Sequence, residues 1–267
     1  MSPLGQSVGT GGQLNAMGVA MEHTNISCLR DLIEAFTEAS RAFGSPSLWW
    51  RGEADASWPT PLIPKIYRGG ITRESEKGRL KRFRLEAPPR HQSCPNEEDY
   101  SAWLFLMQHH GLATRLLDWT ESPLVATFFA LKEPEKQGSL WVLKPMELNH
   151  AEFNVQAFLL ENDDRVKPIC KSAFEDNVEN ADRTVAVLPK QISPRMTNQY
   201  SVFTIHGSRN PLKEHPQKSK FLDHFNIPAK AKDPLRGELH NIGIRLSILF
   251  PDLDHLAEHL NSLEYPL

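Results

Sequence analysis

Residues Gln108 to Thr120, Gln-His-His-Gly-Leu-Ala-Thr-Arg-Leu-Leu-Asp-Trp-Thr, bring two histidines, an arginine, an aspartate, a tryptophan and two threonines together between apolar segments. Polar groups so concentrated among hydrophobic ones need partners inside the fold or a ligand. His109 and His110 invite a metal, since imidazole is a common zinc ligand. Adjacent residues on a helix project in different directions, however, and no HExxH pattern or nearby cysteine completes a set, so no metal is expected. A serine nucleophile would need a GxSxG turn, which is absent, and Ser122, directly before Pro123, is better placed as a helix cap. Arg115 and Asp118 admit two readings. They can pair with each other in a buried turn, because an unpaired buried charge is costly. Alternatively Arg115, with Arg51 of the earlier Trp-Trp-Arg-Gly stretch, can hold phosphate oxygens through its planar fork of donors. Gln199, at the head of an apolar run, reads as an edge residue or as part of a site.

The elements that must position these groups follow from periodicity and punctuation. A helix is expected over Tyr100–His110, with Trp103, Leu104, Leu106 and Met107 buried, acidic residues at its positive start and Gly111 as its stop. Thr114 to Asp118 suits a strand or a turn. Ser122-Pro123 opens a second helix, apolar nearly all round and therefore central to the core. Arg51 sits where a short aromatic strand, Ser47 to Gly52, meets a loop. Asn198 to Gly207 alternates, with Tyr200, Val202 and Thr204 on one face and Ser201, Phe203 and Ile205 on the other, as a strand buried on both sides does. Gly138 to Leu143, Thr184 to Pro189 and Phe221 to Ile227 read as further strands.

Other helices are expected from Ser27, with Leu29, Leu32, Ile33, Phe36 and Phe43 as its buried stripe and Gly44 as its stop. One more runs from a cap at Asp233-Pro234 to Gly243, and a last one from a cap at Asp252, with Leu253, Leu256, Ala257, Leu260 and Leu263 along one stripe. The three prolines of Trp58 to Pro64 give an extended surface segment across the core, and Arg195 falls in a loop. Arg73 to Arg90 is a basic amphipathic helix around Leu80, Phe83 and Leu85. It reads as a solvated face or as a contact for nucleic acid, phosphate or a protein partner.

With no internal repeat and no interior linker, these elements make one α+β domain over residues 25–267. The Gly-rich stretch 1–24 is expected to be a flexible tail, and its Gly9-Thr10-Gly11-Gly12 lacks the Lys-Ser/Thr of a phosphate loop. Forty per cent hydrophobic and 24% charged residues describe an ordinary globular domain, and a net charge of -3 gives no global attraction for nucleic acid or an anionic membrane. Three cysteines without a CxxC pair indicate neither a disulfide framework nor a cysteine zinc site. No secretion signal is evident and no apolar run approaches the roughly 20 residues that span a bilayer, so a cytoplasmic protein is expected.

Trp50-Arg51-Gly52, the segment Gln108 to Thr120 and Gln199-Tyr200-Ser201-Val202-Phe203-Thr204 together resemble the FRG domain, over roughly Ser27 to Leu263. Trp50 stands where Phe or Tyr is usual, Ala113 where Pro is common and Ser201 where Gly is frequent. The order of the three segments is in turn similar to that of ADP-ribosyltransferases, and Asn198 to Phe203 is similar to the Asn-Glu-Tyr-Ile-Val-Tyr strand of poly-ADP-ribose polymerases. That resemblance implies an ADP-ribosyltransferase-like split β-sheet flanked by helices. It also implies binding of NAD or another nucleotide, with ADP-ribosyltransferase or NAD-glycohydrolase activity. Arg51 and Arg115 would hold the pyrophosphate, and His109, Thr114 and Gln199 would position ribose and nicotinamide, with Tyr200 beside them in the cofactor-binding set. Asp118 would orient Arg115 or stabilise developing positive charge. Gln199 occupies the usual glutamate position, and an amide brings no charge to an oxocarbenium-like transition state. Transfer would then be weak, would draw on another carboxylate such as Asp118, or would be absent.

Overall fold

A computed structural model describes residues 25–59 and 61–261. The expected tail over 1–24 and Leu263 lie outside the described residues.

Local signals set most of the element boundaries. Ser122 accepts a hydrogen bond from the Val125 amide and Pro123 fills the first helical position, so a helix starts where Ser-Pro announces one. Gly111, at φ 81°, ends the helix before it in a left-handed conformation open to glycine. In chain order the described residues form α1 (Leu29–Phe43), β1 (Trp49–Glu53), α2 (Arg73–Glu86), α3 (Tyr100–His109), β2 (Leu116–Thr120), α4 (Pro123–Ala130) and β3 (Gly138–Leu143). They continue with α5 (Pro145–Phe153), β4 (Leu159–Leu160), α6 (Lys167–Lys171), β5 (Thr184–Leu188), α7 (Pro194–Asn198) and β6 (Ser201–His206). The described residues end with β7 (Leu222–Ile227), α8 (Lys232–Asn241), α9 (Leu246–Leu249) and α10 (Leu253–Asn261). The fold is α+β, with a single sheet in the order β4-β5-β6-β2-β1-β3-β7. Every pairing is antiparallel except the short β4–β5 pair.

The middle of that sheet opens. Strands β2 and β6 pair along five residues, as do β1 and β3, whereas β1 and β2 meet only at Trp50 and Thr120. Alternation puts Trp50, Gly52, Asp118 and Thr120 on one face, where two apolar clusters flank the opening. One gathers Leu104, Leu116, Phe203 and Ile205 under α3 and α6. The other gathers Leu32, Trp50, Ala126, Leu140 and Phe225 under α1, α4 and α8. The opposite face packs Trp49, Leu117, Trp119 and Val202 against Leu148 of α5.

Several expectations need correction. The strand expected over 198–207 begins only at Ser201, because Ser193-Pro194 starts α7, Gln199 caps its end and Tyr200 turns the chain at φ 48°. Arg195 is accordingly in a helix. The buried stripe of α1 is Leu32, Ala35, Ala39 and Phe43, with Ile33 exposed, since the small alanines allow the helix to lie close to its neighbours. Leu62 and Ile63 are buried rather than on a surface segment, the Leu62 amide donating to the Glu53 carboxylate. Asp233 lies in the first turn of α8, whose N-cap is Ala231, whereas Asp252 does accept from the His255 amide. Leu253, Leu256 and Leu260 of α10 are exposed. Among the described residues no helix is long and apolar enough to cross a membrane.

Candidate functional site

Arg51 and the segment 108–120 meet where β1 and β2 part. The Arg51 Nη1 donates to the main-chain oxygen of Asp118 at 2.7 Å, taking up a carbonyl that the diverging strands leave without a ladder partner. Its Nε faces Glu53 Oε1 at 3.4 Å. Glu53 is itself buried, and its other oxygen accepts from Trp141 Nε1 at 3.1 Å. Gly52 has a separate job: a Cβ there would lie 1.9 Å from the Ala126 carbonyl oxygen, so its bare backbone is what lets α4 press onto the strand beside Arg51.

The Asp118 side chain is held from α3. Gln108 Nε2 donates to both carboxylate oxygens, at 3.2 and 3.1 Å, while Gln108 Oε1 accepts from Thr114 Oγ1 at 2.7 Å. Thr114 Oγ1 in turn accepts from the Leu116 amide at 3.2 Å. This chain fixes which end of the Gln108 amide meets the carboxylate. Thr114, fully buried, is therefore a positioning residue behind the cleft.

Arg115 neither pairs with Asp118 nor joins Arg51. It is 2% exposed and clasps Glu76 of α2 with two parallel bonds, Nε to Oε1 at 2.6 Å and Nη2 to Oε2 at 3.0 Å. Its Nη1 and Nη2 also donate to the Ser172 hydroxyl and carbonyl, at 2.6 and 3.1 Å. Burial acts to lower its pKa, but the Glu76 hydrogen bonds and the surrounding negative field outweigh that and the net direction is upward. With every guanidinium nitrogen engaged, this group is a clasp between α2, α6 and β2, removed from phosphate binding.

The remaining sequence-selected residues divide. Gln199 reaches the cleft, its Nε2 anchored on the Leu249 carbonyl at 2.9 Å and its own carbonyl accepting from Thr120 Oγ1 at 2.7 Å. His109 stands 3.5 Å from Ser193 Oγ outside the cleft lining, its pKa lowered by burial first and then by His110 and Arg195. Tyr200 is outside the cleft lining and is 57% exposed.

The cleft has a volume of about 360 Å³. Arg51, Arg68, Lys132 and Arg195 supply positive charge, Glu53, Asp118 and Glu133 negative charge, Gln108 and Gln199 amides, and Trp58 and Phe129 ring faces. A second compartment of about 250 Å³ shares Arg51, Arg68, Gln108 and Asp118 with it. Sequence reasoning missed Arg68, Lys132 and Trp58, which lie in the connections between these helices and strands, where periodicity says nothing, and took Gln108 only as part of its motif. A larger groove of about 500 Å³ between α2 and α3 has an apolar floor at Phe83, Leu106 and Leu112, and none of the converging residues lines it. The basic segment 73–90 spends much of its charge within the domain: Arg73 and Lys77 on Asp176, Arg82 on Glu86, and Arg84 over the rings of Trp103 and Phe174. Among the described residues no group of three or more His, Cys, Asp or Glu side chains could hold a metal ion.

Beneath the opening, Trp119 Nε1 donates to Thr204 Oγ1 at 3.0 Å, and that hydroxyl lies 2.9 Å from His206 Nε2. His206 is fully buried and its Nδ1 has no partner among the described residues. Burial pushes its pKa from 6.5 down to about 3. The folded imidazole stays neutral where the unfolded one takes up a proton, so stability is lost as pH falls from about 6.5 towards 3. Urea unfolding across that window is expected to show a decline on the order of 1 kcal/mol per pH unit from this residue alone. His206→Gln should flatten the profile, and an unchanged slope in that variant would refute the assignment.

The architecture is thus an α+β domain whose mostly antiparallel sheet parts at its centre to form a cleft lined by charged groups of both signs. The FRG domain family matches residues 46–139, from just before β1 to the first residues of β3. The chain carries an FRG domain, and the match contains both Trp50-Arg51-Gly52 and Gln108 to Thr120 but not the segment around Gln199. No curated protein and no solved structure matches the chain.

Proposed function

We propose that the cleft at the parting of β1 and β2 binds a nucleotide of the NAD class, in a domain laid out like an ADP-ribosyltransferase. The observation that carries this reading is the state of its two central guanidinium groups. Arg51 is anchored through Nε and Nη1, and Arg68 through Nε and Nη2 on the Ile63 carbonyl, at 3.0 and 2.8 Å. Each therefore keeps one terminal nitrogen for a ligand and needs no reordering to meet a pyrophosphate. Arg68 lies 5.4 Å over the ring of Trp58, which with Phe129 offers faces for an aromatic base.

Asp118 is the carboxylate for the chemistry. It borders both compartments, and Gln108 holds it in one orientation. As the bond from ribose C1′ to the nicotinamide nitrogen breaks, the electron pair leaves with nicotinamide and C1′ becomes cationic, a charge that Asp118 stabilises. Water or an acceptor hydroxyl then adds to C1′, and its proton passes to Asp118. Gln199, with Nε2 held by Leu249, presents its oxygen to a ribose hydroxyl.

Calorimetry with NAD tests binding, and release of nicotinamide tests turnover. Arg51→Ala is expected to weaken binding about 10- to 100-fold, the scale of a charged hydrogen bond lost. Asp118→Asn should leave affinity within a few fold and lower turnover by about 10²–10³. Absence of NAD binding at millimolar concentration would end this reading.

A further inference from the structure

The cleft has four cationic side chains, and two of them sit apart from the pair assigned to the pyrophosphate. Arg51 and Arg68 border both compartments, whereas Lys132 and Arg195 border only the larger one, so the two cation pairs mark different ends of the cavity. Lys132 lies two residues past the end of α4 and Arg195 belongs to α7, segments distant in the chain that meet on one aromatic floor. The Lys132 ammonium lies 5.0 Å from the ring centre of Phe129 and 5.8 Å from that of Phe250, and the Arg195 guanidinium lies 4.6 Å from the latter.

Among the described residues neither cation forms an ion pair. Glu258 and Asp252 are the carboxylates whose fields reach them, each through space. Burial first and the Arg195 charge second lower the lysine's pKa, as a neighbouring like charge must. Two like charges held over one ring with no carboxylate in contact with either repel each other, and an anion between them relieves that repulsion.

We infer that Lys132 and Arg195 form a second phosphate subsite, and that the cleft selects a nucleotide carrying a 2′ or 3′ phosphate in addition to its 5′ phosphates. This rests on the reading of the cleft as a nucleotide site. A longer 5′ phosphate chain fits less well than a separate phosphate, because Asp118, which borders both compartments with Arg51 and Arg68, would repel charge extended from that pair. The ring face of Phe129 and the Gln199 amide, on the Lys132 and Arg195 side, suit a sugar and base in between.

The test is calorimetry on the full chain with two pairs of probes that differ by one phosphate: NAD against NADP, and adenosine 5′-monophosphate against adenosine 3′,5′-bisphosphate. At least one pair should show a tenfold or greater gain from the extra phosphate. In Lys132→Gln and Arg195→Gln, both at exposed positions, the gain should fall below threefold while affinity for the partner lacking that phosphate is retained. Lys132→Arg should keep the gain. Equal affinity within both pairs overturns the inference and leaves the nucleotide site standing. A gain of the same size from adenosine 5′-diphosphate to the 5′-triphosphate also overturns it, by showing a response to charge alone. Failure of all these probes to bind removes the nucleotide reading and the subsite together.

Discussion

Glu76→Gln is expected to lower the unfolding free energy by about 3–5 kcal/mol, the cost of leaving a buried guanidinium without its counter-charge. The side chains of Arg115 and Glu76 are only 2% and 4% exposed, so water cannot replace the lost carboxylate. For a domain of this size the change corresponds to a fall of roughly 6–20 °C in melting temperature. Because the pair itself has a large desolvation cost, replacing both members together, Glu76→Leu with Arg115→Met, should be less destabilising than Glu76→Gln alone. Affinity for NAD, measured well below the melting temperature, should change by no more than a few fold, since the clasp contributes no atom to the cleft. A loss under 1 kcal/mol in Glu76→Gln would show that Arg115 finds another anion, and a selective loss of NAD binding would return Arg115 to the site.

That clasp also shows what a sequence can and cannot reveal. Asp118 is three residues from Arg115, while Glu76 is 39 away on a helix that reads as a basic solvated face. Proximity along the chain favoured the wrong carboxylate, because Arg115 immediately precedes β2 and its partner is chosen by how α2 docks, which no local pattern encodes. Gln199 has a similar history. The alternation of Ser201 to His206 is a sound strand signal, and extending it back to Asn198 overlooked Ser193-Pro194, the same helix start that correctly announced α4 at Ser122-Pro123. Where the signal is local and unopposed it succeeds: Gly138 to Leu143 is a strand with those bounds, and Gly111 ends its helix. Of the seven residues singled out, Arg51, Asp118 and Gln199 line the cleft. The groups that give it most of its positive charge, Arg68, Lys132 and Arg195, come from segments with no motif to mark them.

Gly52→Ala should be strongly damaging for a single added methyl, costing about 3 kcal/mol. The added Cβ would lie 1.9 Å from the Ala126 oxygen, 2.6 Å from the Ala130 nitrogen and 3.0 Å from the Ala126 carbonyl carbon. All three are helix backbone, so no side chain can rotate aside, and β1 or α4 must move by an ångström or more. Either movement displaces the cleft, since Arg51 precedes Gly52 on the strand and Ala126, Phe129 and Lys132 line the cavity from α4 and its end. Stability and NAD affinity are therefore expected to fall together, which separates this variant from Glu76→Gln. Gly138→Ala meets its nearest atom, the Ala130 oxygen, at 2.9 Å and should cost less. Gly78, exposed within α2 with nothing within 4 Å of an added Cβ, supplies the opposite sign, and Gly78→Ala should stabilise by about 0.5–1 kcal/mol through helix propensity. Urea midpoints for the three variants give the order directly. If Gly52→Ala unfolds within 1 kcal/mol of the wild type, the close approach of α4 to β1 is not what holds the cleft in shape, and the glycine beside Arg51 must be explained by contact with the ligand instead.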